Sequence, residues 1–557
     1  MSRSLIVSQR HADRTPRRVS RVAAAGWTRL ACCVVYAACA LTIATGTAAA
    51  QRPVAARSLV PQAAPPSSPP PPLAVEIAPE VKAGPLPAGF VGLSLEYRSV
   101  LTYAGTNPAA INPVFVRLIQ NLAPGQTPVL RIGGDSTDWS WWPVPHAKKP
   151  PGVTYAITPQ WISAARALAQ DTGARYILGV NLEANSRIVE TTEARELLSG
   201  IGWPYIQAVE LGNEPELYSV LPWYKLATGE RVRGRPRDWD FGAFSNQFLS
   251  FHEAEPWIPL AGPSSGSFRW LEDLPEFLAK APWLSMVTVH SYWLNKCAES
   301  STQPGYPTIP HLLNPSPPSR VTGSLGQYAA LAHAHDVPIR IDEMNSVTCG
   351  GQHGVSDVFA SALWALNALF EAAGFGVDGV NIHTFPGTAN QLFSFTDQDG
   401  TWTGKVSPEY YGLLMFAEAM PPGARLLRIY EPATDPLRPW AALAPDGTLR
   451  VVLINDSLTD SRTVLVTPPS QGQLQALLPS GANPPSPNEP AQLTQLIAPS
   501  VYATGNITLG GQTFGAQTTT GVLSGPPATA TIMPSSGVYT VTLPAATAAM
   551  LTLAPQP

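Results

Sequence analysis

The chain has 557 residues, enough for two or three domains. Charged residues are only 13% of it, the formal net charge is −4, and it has no Lys/Arg-rich tract, which excludes a nucleic-acid binder working through a basic face. The 59 prolines imply extensive loops and turns, while 15 tryptophans and 16 tyrosines suit a sugar-stacking cleft or simply a large core.

Residues 1–50 read as an export signal. Seven arginines lie in positions 1–29, an apolar run extends from Leu30 to Ala44, and Ala48-Ala49-Ala50 offers a cleavage site before Gln51. The run is short for a bilayer span. An uncleaved anchor is the competing reading, and Arg17-Arg18 offers a twin-arginine variant of the signal. Cleavage would leave 28 basic and 38 acidic residues, a net −10, and no membrane association. Such a protein does not gather anionic polymers by its overall field. Cys32, Cys33 and Cys39 leave with the signal. An exported chain retaining Cys297 and Cys349 permits one disulfide, each cysteine following a neighbouring predicted strand; two thiols are the alternative.

Residues 51–72 are rich in Pro, Ala and Ser and read as a linker. Within 73–89, the stretch 74–77 is strand-like and is a candidate extra strand for the C-terminal domain. Over 90–421, eight near-continuous apolar runs (90–97, 128–132, 176–181, 207–211, 257–261, 286–292, 337–342 and 379–384) alternate with helical patterns. The helical patterns include 111–122, 159–170, 241–252, 324–335 and 356–373, with Asp357 in the first turn of the last. Strands apolar on both faces belong to buried parallel sheets. Eight such units predict an α/β fold of the (β/α)₈ TIM-barrel type with long loops. A doubly wound open sheet is the competitor, but no Gly-x-Gly-x-x-Gly follows the first strand. From 422 to 557 helical periodicity gives way to short β-branched runs at 451–455, 463–467, 501–509, 538–543 and 550–553. With the Asp446-Gly447 turn they predict an all-β sandwich.

Barrel enzymes place their chemistry at the C-terminal ends of the strands. Strand four runs into Asn213-Glu214-Pro215 and strand seven into Asp342-Glu343, 129 residues from glutamate to glutamate. Strand two runs into Arg131, strand six into His290 and Tyr292, and strand eight into Asn381 and His383. Glycosidic cleavage needs one carboxylic acid to protonate the leaving oxygen and a second carboxylate to attack the anomeric carbon. Glu214 is the candidate acid/base and Glu343 the candidate nucleophile. Asn213 is placed to bond a sugar 2-hydroxyl, and Arg131, Tyr292 and His290 to support the nucleophile. A rival nucleophile is offered by Gly262-Pro263-Ser264-Ser265-Gly266, a Gly-x-Ser-x-Gly match, although no clear helix opens after it. No metal is expected, since neither His-Glu-x-x-His nor paired Cys-x-x-Cys occurs, and no cofactor is invoked.

Gly212-Asn-Glu-Pro215 with a strand-seven glutamate resembles the large clan of retaining (β/α)₈ glycosidases. Leu130-Arg-Ile-Gly-Gly-Asp-Ser-Thr-Asp138, Ile341-Asp-Glu-Met-Asn-Ser346 and the β-rich tail resemble glycoside hydrolase family 79, the heparanase and β-glucuronidase family. The resemblance implies Glu214 as acid/base and Glu343 as nucleophile, ring hydroxyls bound by Glu96 and Asp135, and Tyr292 beside the reacting centre. It also implies a glucuronate carboxylate held by amides of the turn containing Gly350 and Gly351. The expected partner is a glucuronide oligosaccharide or aryl glucuronide. Exo-acting β-glucuronidase is the leading expectation. Endo-acting heparanase-like cleavage, a neutral-sugar glycosidase and an inactive sugar-binding barrel are the alternatives.

Overall fold

The computed structural model describes residues 70–298, 300–303, 305–314, 321–430 and 436–556, the side chains of 321–323 excepted. The predicted export signal and most of the predicted linker lie outside the described residues. No helix among the described residues is long and apolar enough to cross a membrane.

Eight parallel strands close into a barrel. They are β1 (Val91–Glu96), β2 (Val129–Gly133), β3 (Arg175–Val180), β4 (Ile206–Leu211), β5 (Leu260–Ser265), β6 (Met286–Leu294), β7 (Ile339–Val347) and β8 (Gly379–Thr384). Val380 on β8 pairs with Val91 on β1, which closes the ring. Six strands fall within two residues of their predicted limits. The fifth was expected at 257–261 but begins only at Leu260, because Trp257 and Ile258 belong to the approach. The seventh continues to Val347, so Glu343 lies inside a strand rather than at its end.

That extension contains an irregularity that matters. Along the β6–β7 pair, Val289 faces Ile341 but His290 faces Glu343, so Asp342 is an extra residue in β7. A bulge of this kind re-aims side chains that strict alternation would send to opposite faces. The β5–β6 register likewise skips Ser264, whose φ is 55°.

Helices start where local caps satisfy their free amides. Asn112 accepts from the amides of Val114 and Phe115 to start Pro113–Leu122, Thr158 caps Pro159–Thr172, and Asp240 caps Phe241–Ala254. The helix expected at 356–373 begins at Ala360, so Asp357 is not in its first turn. Asp357 instead accepts from Gly354 N and from His353 Nδ1, both at 2.7 Å, closing the preceding turn.

The C-terminal strands form a ten-stranded sheet, and the strand Leu73–Ala83 sits inside it between Arg425–Tyr430 and Arg462–Thr467. Val451-Val452-Leu453-Ile454 shows why an all-apolar run is a strand here. Val451 and Leu453 enter the sheet's own core with Val75, Val464, Val541 and Leu551, while Val452 and Ile454 join the barrel's core. Trp440 stacks on Phe370 of the barrel helix Ala360–Gly374, ring centroids 5.3 Å apart. The strand expected at 501–509 is reduced to Thr508–Leu509. The carbonyls of Val501 and Ala503 accept instead from the amides of Ala360 and Phe359, the unpaired donors at the start of that helix.

Candidate active site

Arg131, fully buried on β2, organises the barrel mouth. Its Nη1 donates to Glu343 Oε2 at 2.5 Å, and its Nη2 to Asn213 Oδ1 at 2.8 Å and Ser264 Oγ at 3.1 Å. Its Nε meets Glu210 Oε2 at 3.0 Å and Asp342 Oδ2 at 3.1 Å. One planar guanidinium thus ties β4, β5 and β7 together, a geometry that an ammonium point charge does not reproduce.

Glu343 also accepts from the Tyr292 hydroxyl at 2.7 Å, on its other oxygen. Both oxygens are therefore fixed, and the side chain is only 8% exposed. Burial alone would raise its pKa. The charges of His383, His290 and Arg131, with the Tyr292 hydroxyl, outweigh that and hold it well below the usual carboxylate range.

Glu214 stands opposite, with 21% of its side chain exposed. It has a φ of 47° and a ψ of 54°, a left-handed conformation that costs a glutamate on the order of 1 kcal/mol. The turn is held by its amide donating to Ser264 O at 2.9 Å and by Leu217 N donating back to Glu214 O at 2.9 Å. Its Oε1 lies 2.9 Å from His290 Nδ1. The nearest ligating atoms of Glu214, His290 and Glu343 all lie within 4.8 Å of one another. A Cβ added to Gly266 would lie 2.3 Å from Glu214 Oε1, so this glycine makes room for the carboxylate.

His290 is buried between anions. Burial would lower its pKa, but Glu343 and Asp342, with hydrogen bonds to Asp342 and Glu214, push it well above the ordinary histidine value. His383 lies 3.5 Å from Glu96 and 3.7 Å from Glu343, and it too is raised, by Glu343 and Glu96 against burial. Glu96 accepts from Ser136 N at 2.8 Å. A Cβ on Gly134 would lie 2.5 Å from Glu96 Oε1, which explains the Gly-Gly of that loop. Asp135 reaches the same acidic group. Its residue surface is open to water, which limits its loss of hydration. That loss and repulsion from Glu96, Glu214 and Glu343 still raise its carboxyl.

A group missed by sequence reasoning steadies the acid-bearing turn. Asp138 Oδ2 accepts from Asn213 N at 3.0 Å and from the Tyr218 hydroxyl at 2.7 Å, and Oδ1 accepts from the amides of Leu182 and Glu183 at 3.0 Å. The supporting roles of Ser94, Glu210, Ser264 and Asp342 around Arg131 were not anticipated either. Only the alternation along β1 and β4 hinted at Ser94 and Glu210, and neither bulge leaves a signature in the sequence.

Several expectations need correction. His290, expected to support the nucleophile, does so through its charge, and it also lies 2.9 Å from Glu214, a contact that was not expected. Ser264 is no exposed nucleophile: it is buried, accepting from Arg131, with Oγ 3.3 Å from His290 Nε2. Asn381 points into the barrel floor, where its Nδ2 donates to the carbonyls of Leu93 and Val129. In the turn expected to hold the sugar carboxylate, the amide of Gly351 donates to Thr348 O at 3.2 Å, Gln352 N to Ser356 Oγ, and Gly354 N to Asp357, so these three donors are spent internally. Gly350 precedes these with a φ of 79°, and Lys296 Nζ donates to Gly351 O at 2.9 Å. No disulfide occurs among the described residues. Cys297 and Cys349 are both exposed, and the two turns are joined by Asn295 Oδ1, which accepts from Cys297 N and Thr348 Oγ1.

Glu214, His290 and Glu343 are close enough together for a cation. His290 Nδ1 is committed to Glu214, and its Nε2 lies among Ser264, Arg131 and Asp342, so the set is arranged for proton handling rather than ligation.

Residues 440–550 match the glycosyl hydrolase family 79 C-terminal beta domain. The chain is 24% identical over 414 residues to a beta-glucuronidase of Aspergillus niger, covering 68% of this chain and 73% of that one. It is 24% identical over 441 residues to a beta-glucuronidase of Neurospora crassa, covering 69% and 75%. Among solved structures it is similar to a 4-O-α-L-rhamnosyl-β-D-glucuronidase from Fusarium oxysporum in complex with Rha-GlcA. That match has 20% identity, 86% and 100% coverage and a TM-score of 0.63. A family 51 arabinofuranosidase from Xanthomonas axonopodis pv. citri matches at 14% identity, 87% and 100% coverage and a TM-score of 0.56. The solved structures share the fold.

Proposed function

We propose that the chain is a glycosidase of glycosyl hydrolase family 79, and specifically an exported, retaining exo-β-glucuronidase that cleaves β-D-glucuronides by double displacement, a reading supported by the matching C-terminal domain and the named relatives. The observation that carries this reading is the short span between two carboxylates, with oxygens of Glu214 and Glu343 within 4.8 Å of each other. Retaining glycosidases need the pair about 5 Å apart, whereas inverting ones leave room for a water between them.

In this reading Glu343 attacks the anomeric carbon. Its two oxygens are held by Arg131 and Tyr292 and its proton is already gone, so no reorganisation precedes attack. Glu214 protonates the departing oxygen. Its Oε1 faces His290, which leaves Oε2 to carry and deliver the proton. In the second half, Glu214 takes a proton from water, which attacks the same carbon and releases Glu343. Asn213, oriented by Arg131 and Asp138, meets the 2-hydroxyl, while Glu96 and Asp135 meet the ring hydroxyls. The names of the curated relatives support a glucuronide substrate. Gly350, with the Lys296 ammonium beside its turn, is the candidate for the sugar carboxylate, and Gly351 orders the turn from within. Residues 1–50 serve export, 51–72 link, 90–421 form the catalytic barrel, and 422–557 with the strand in 73–89 brace it.

A panel of nitrophenyl β-glucuronide, β-glucoside and β-xyloside, beside a glucuronate-containing polymer, tests the substrate. Turnover of the glucuronide well above the others is expected. Equal turnover of the glucoside would favour the neutral-sugar reading, internal scission of the polymer the endo-acting one, and no turnover at all the inactive barrel. Proton NMR of the sugar first released should show the β-anomer; the α-anomer first would reject retention.

A further inference from the structure

Beneath the catalytic pair lie two carboxyl groups that the reaction above does not use. Glu210 on β4 and Asp342 on β7 both have side chains with no solvent exposure, and both converge on the Nε of Arg131, at 3.0 and 3.1 Å. That nitrogen carries a single hydrogen, which goes to Glu210 Oε2, so Asp342 Oδ2 is in ion-pair contact only. Glu210 Oε1 and both oxygens of Asp342 meet no other well-aligned donor among the described residues. The two groups are in hydrogen-bonding range of each other. A buried pair of facing carboxylates does not stay doubly ionised, and one retained proton turns an orphaned acceptor into a donor.

We propose that Glu210 is a positioning residue that holds this proton and donates it to Asp342, leaving Asp342 as the single anion beneath His290 and Arg131.

Geometry decides which partner keeps the proton. Asp342 faces two cations, Arg131 Nε at 3.1 Å and His290 Nε2 at 3.6 Å, whereas Glu210 faces only Arg131. The groups acting on Glu210 are Arg131 from β2, Asp342 from β7, Thr288 from β6 and Tyr97 after β1, and of these only Arg131 is positive. Burial and Asp342 raise the Glu210 carboxyl to about 8, while Arg131 and His290 keep Asp342 below its ordinary value despite burial. The consequence reaches the reacting centre. A neutral Glu210 leaves Arg131's charge to Glu343, and an anionic Asp342 keeps His290 charged against Glu214. An ionised Glu210 would draw Arg131 down and weaken its hold on the nucleophile.

The kinetic arm rests on the catalytic roles proposed for Glu214 and Glu343; the spectroscopic arm does not. Glu210→Ala should lower kcat/KM by ~10- to 100-fold, the range for losing a hydrogen bond to a charged group. Glu210→Gln, which keeps a neutral donor of the same shape, should recover activity to within about threefold of wild type. Infrared difference spectra of wild type against Glu210→Gln at neutral pH should show a protonated-carboxyl stretch belonging to Glu210. The idea is overturned if Gln loses as much as Ala in protein that melts normally, if Ala loses nothing, or if the spectra show an ionised carboxylate. Should Ala fail to fold, the Gln variant and the infrared bands decide. A wild type inactive on every glycoside would count against the proposed function, while the infrared arm would still report the proton.

Discussion

Two arginines are buried inside the same barrel, and their surroundings could hardly differ more. Arg340 lies toward the floor, where its Nε donates to Asn381 Oδ1 at 2.5 Å and its Nη2 to the carbonyls of Gly89 and Phe90 at 3.1 and 3.2 Å. Its partners are neutral dipoles, and burial lowers it to about 10 although Asp342 and Asp378 partly oppose that. Arg131, at the mouth, is ringed by Glu210, Asp342 and Glu343, which overcome the cost of burial and raise it. The floor uses a cation as a plug that satisfies backbone carbonyls at the closed end of the barrel. The mouth uses one to gather and aim carboxylates. Burial alone therefore does not mark a functional charge; the charge state of its partners does.

The contrast breaks most severely at the anion that Arg131 serves. Glu343→Gln should lower kcat/KM on an aryl glucuronide on the order of 10⁴-fold or more with the fold retained. Activity within tenfold of wild type would remove Glu343 from the mechanism. Next come the arginines themselves. Arg131→Lys keeps the charge but not the fork, and kcat/KM should fall roughly 10²-fold. Arg340→Lys, which loses part of its fork of hydrogen bonds to neutral acceptors, should cost about 2 kcal/mol in urea unfolding, yet leave kcat of the folded enzyme within about threefold. A folded but inactive Arg340→Lys would erase the distinction between the two layers.

The smallest effect is on stability against pH. Glu210 is raised from 4.5 to about 8, so the folded chain holds a proton that the unfolded chain has lost. Its contribution is complete below the unfolded value and falls away as pH climbs toward 8. Unfolding free energy measured across that window should decline less steeply in Glu210→Gln, by up to ~1.4 kcal/mol per pH unit. The Arg340 layer adds no such slope there, because it titrates only near 10. Equal slopes in wild type and variant would mean that Glu210 is ionised in the folded state.

The barrel was legible because a strand buried on both faces is near-continuously apolar, and runs such as 176–181, apolar up to the closing Asn181, keep that pattern. Segment 501–509 misled because a β-branched run that caps a helix looks, residue by residue, like a strand. The two glutamates were legible because each closes a strand-like run with a carboxylate. Their support was less so. Arg131 and Tyr292 stand at strand ends and could be named, but Asp342 and Glu343 are adjacent, and alternation would place them on opposite sides. The second partner of His290, Glu214, was not legible, because a position along β6 says nothing about where β4 turns.

Residue order alone determined the eightfold alternation, the β-rich tail and the two acids available for glycoside chemistry, because burial on both faces, β-branching and a carboxylate at a strand's end are local properties. The tertiary structure decided which acid each cation serves. Two one-residue bulges, at Asp342 and Ser264, and the left-handed turn at Glu214 rotate side chains into one space, and a guanidinium fork bonds several strands at once. Such convergence depends on the register between strands far apart in the chain, which no single strand encodes.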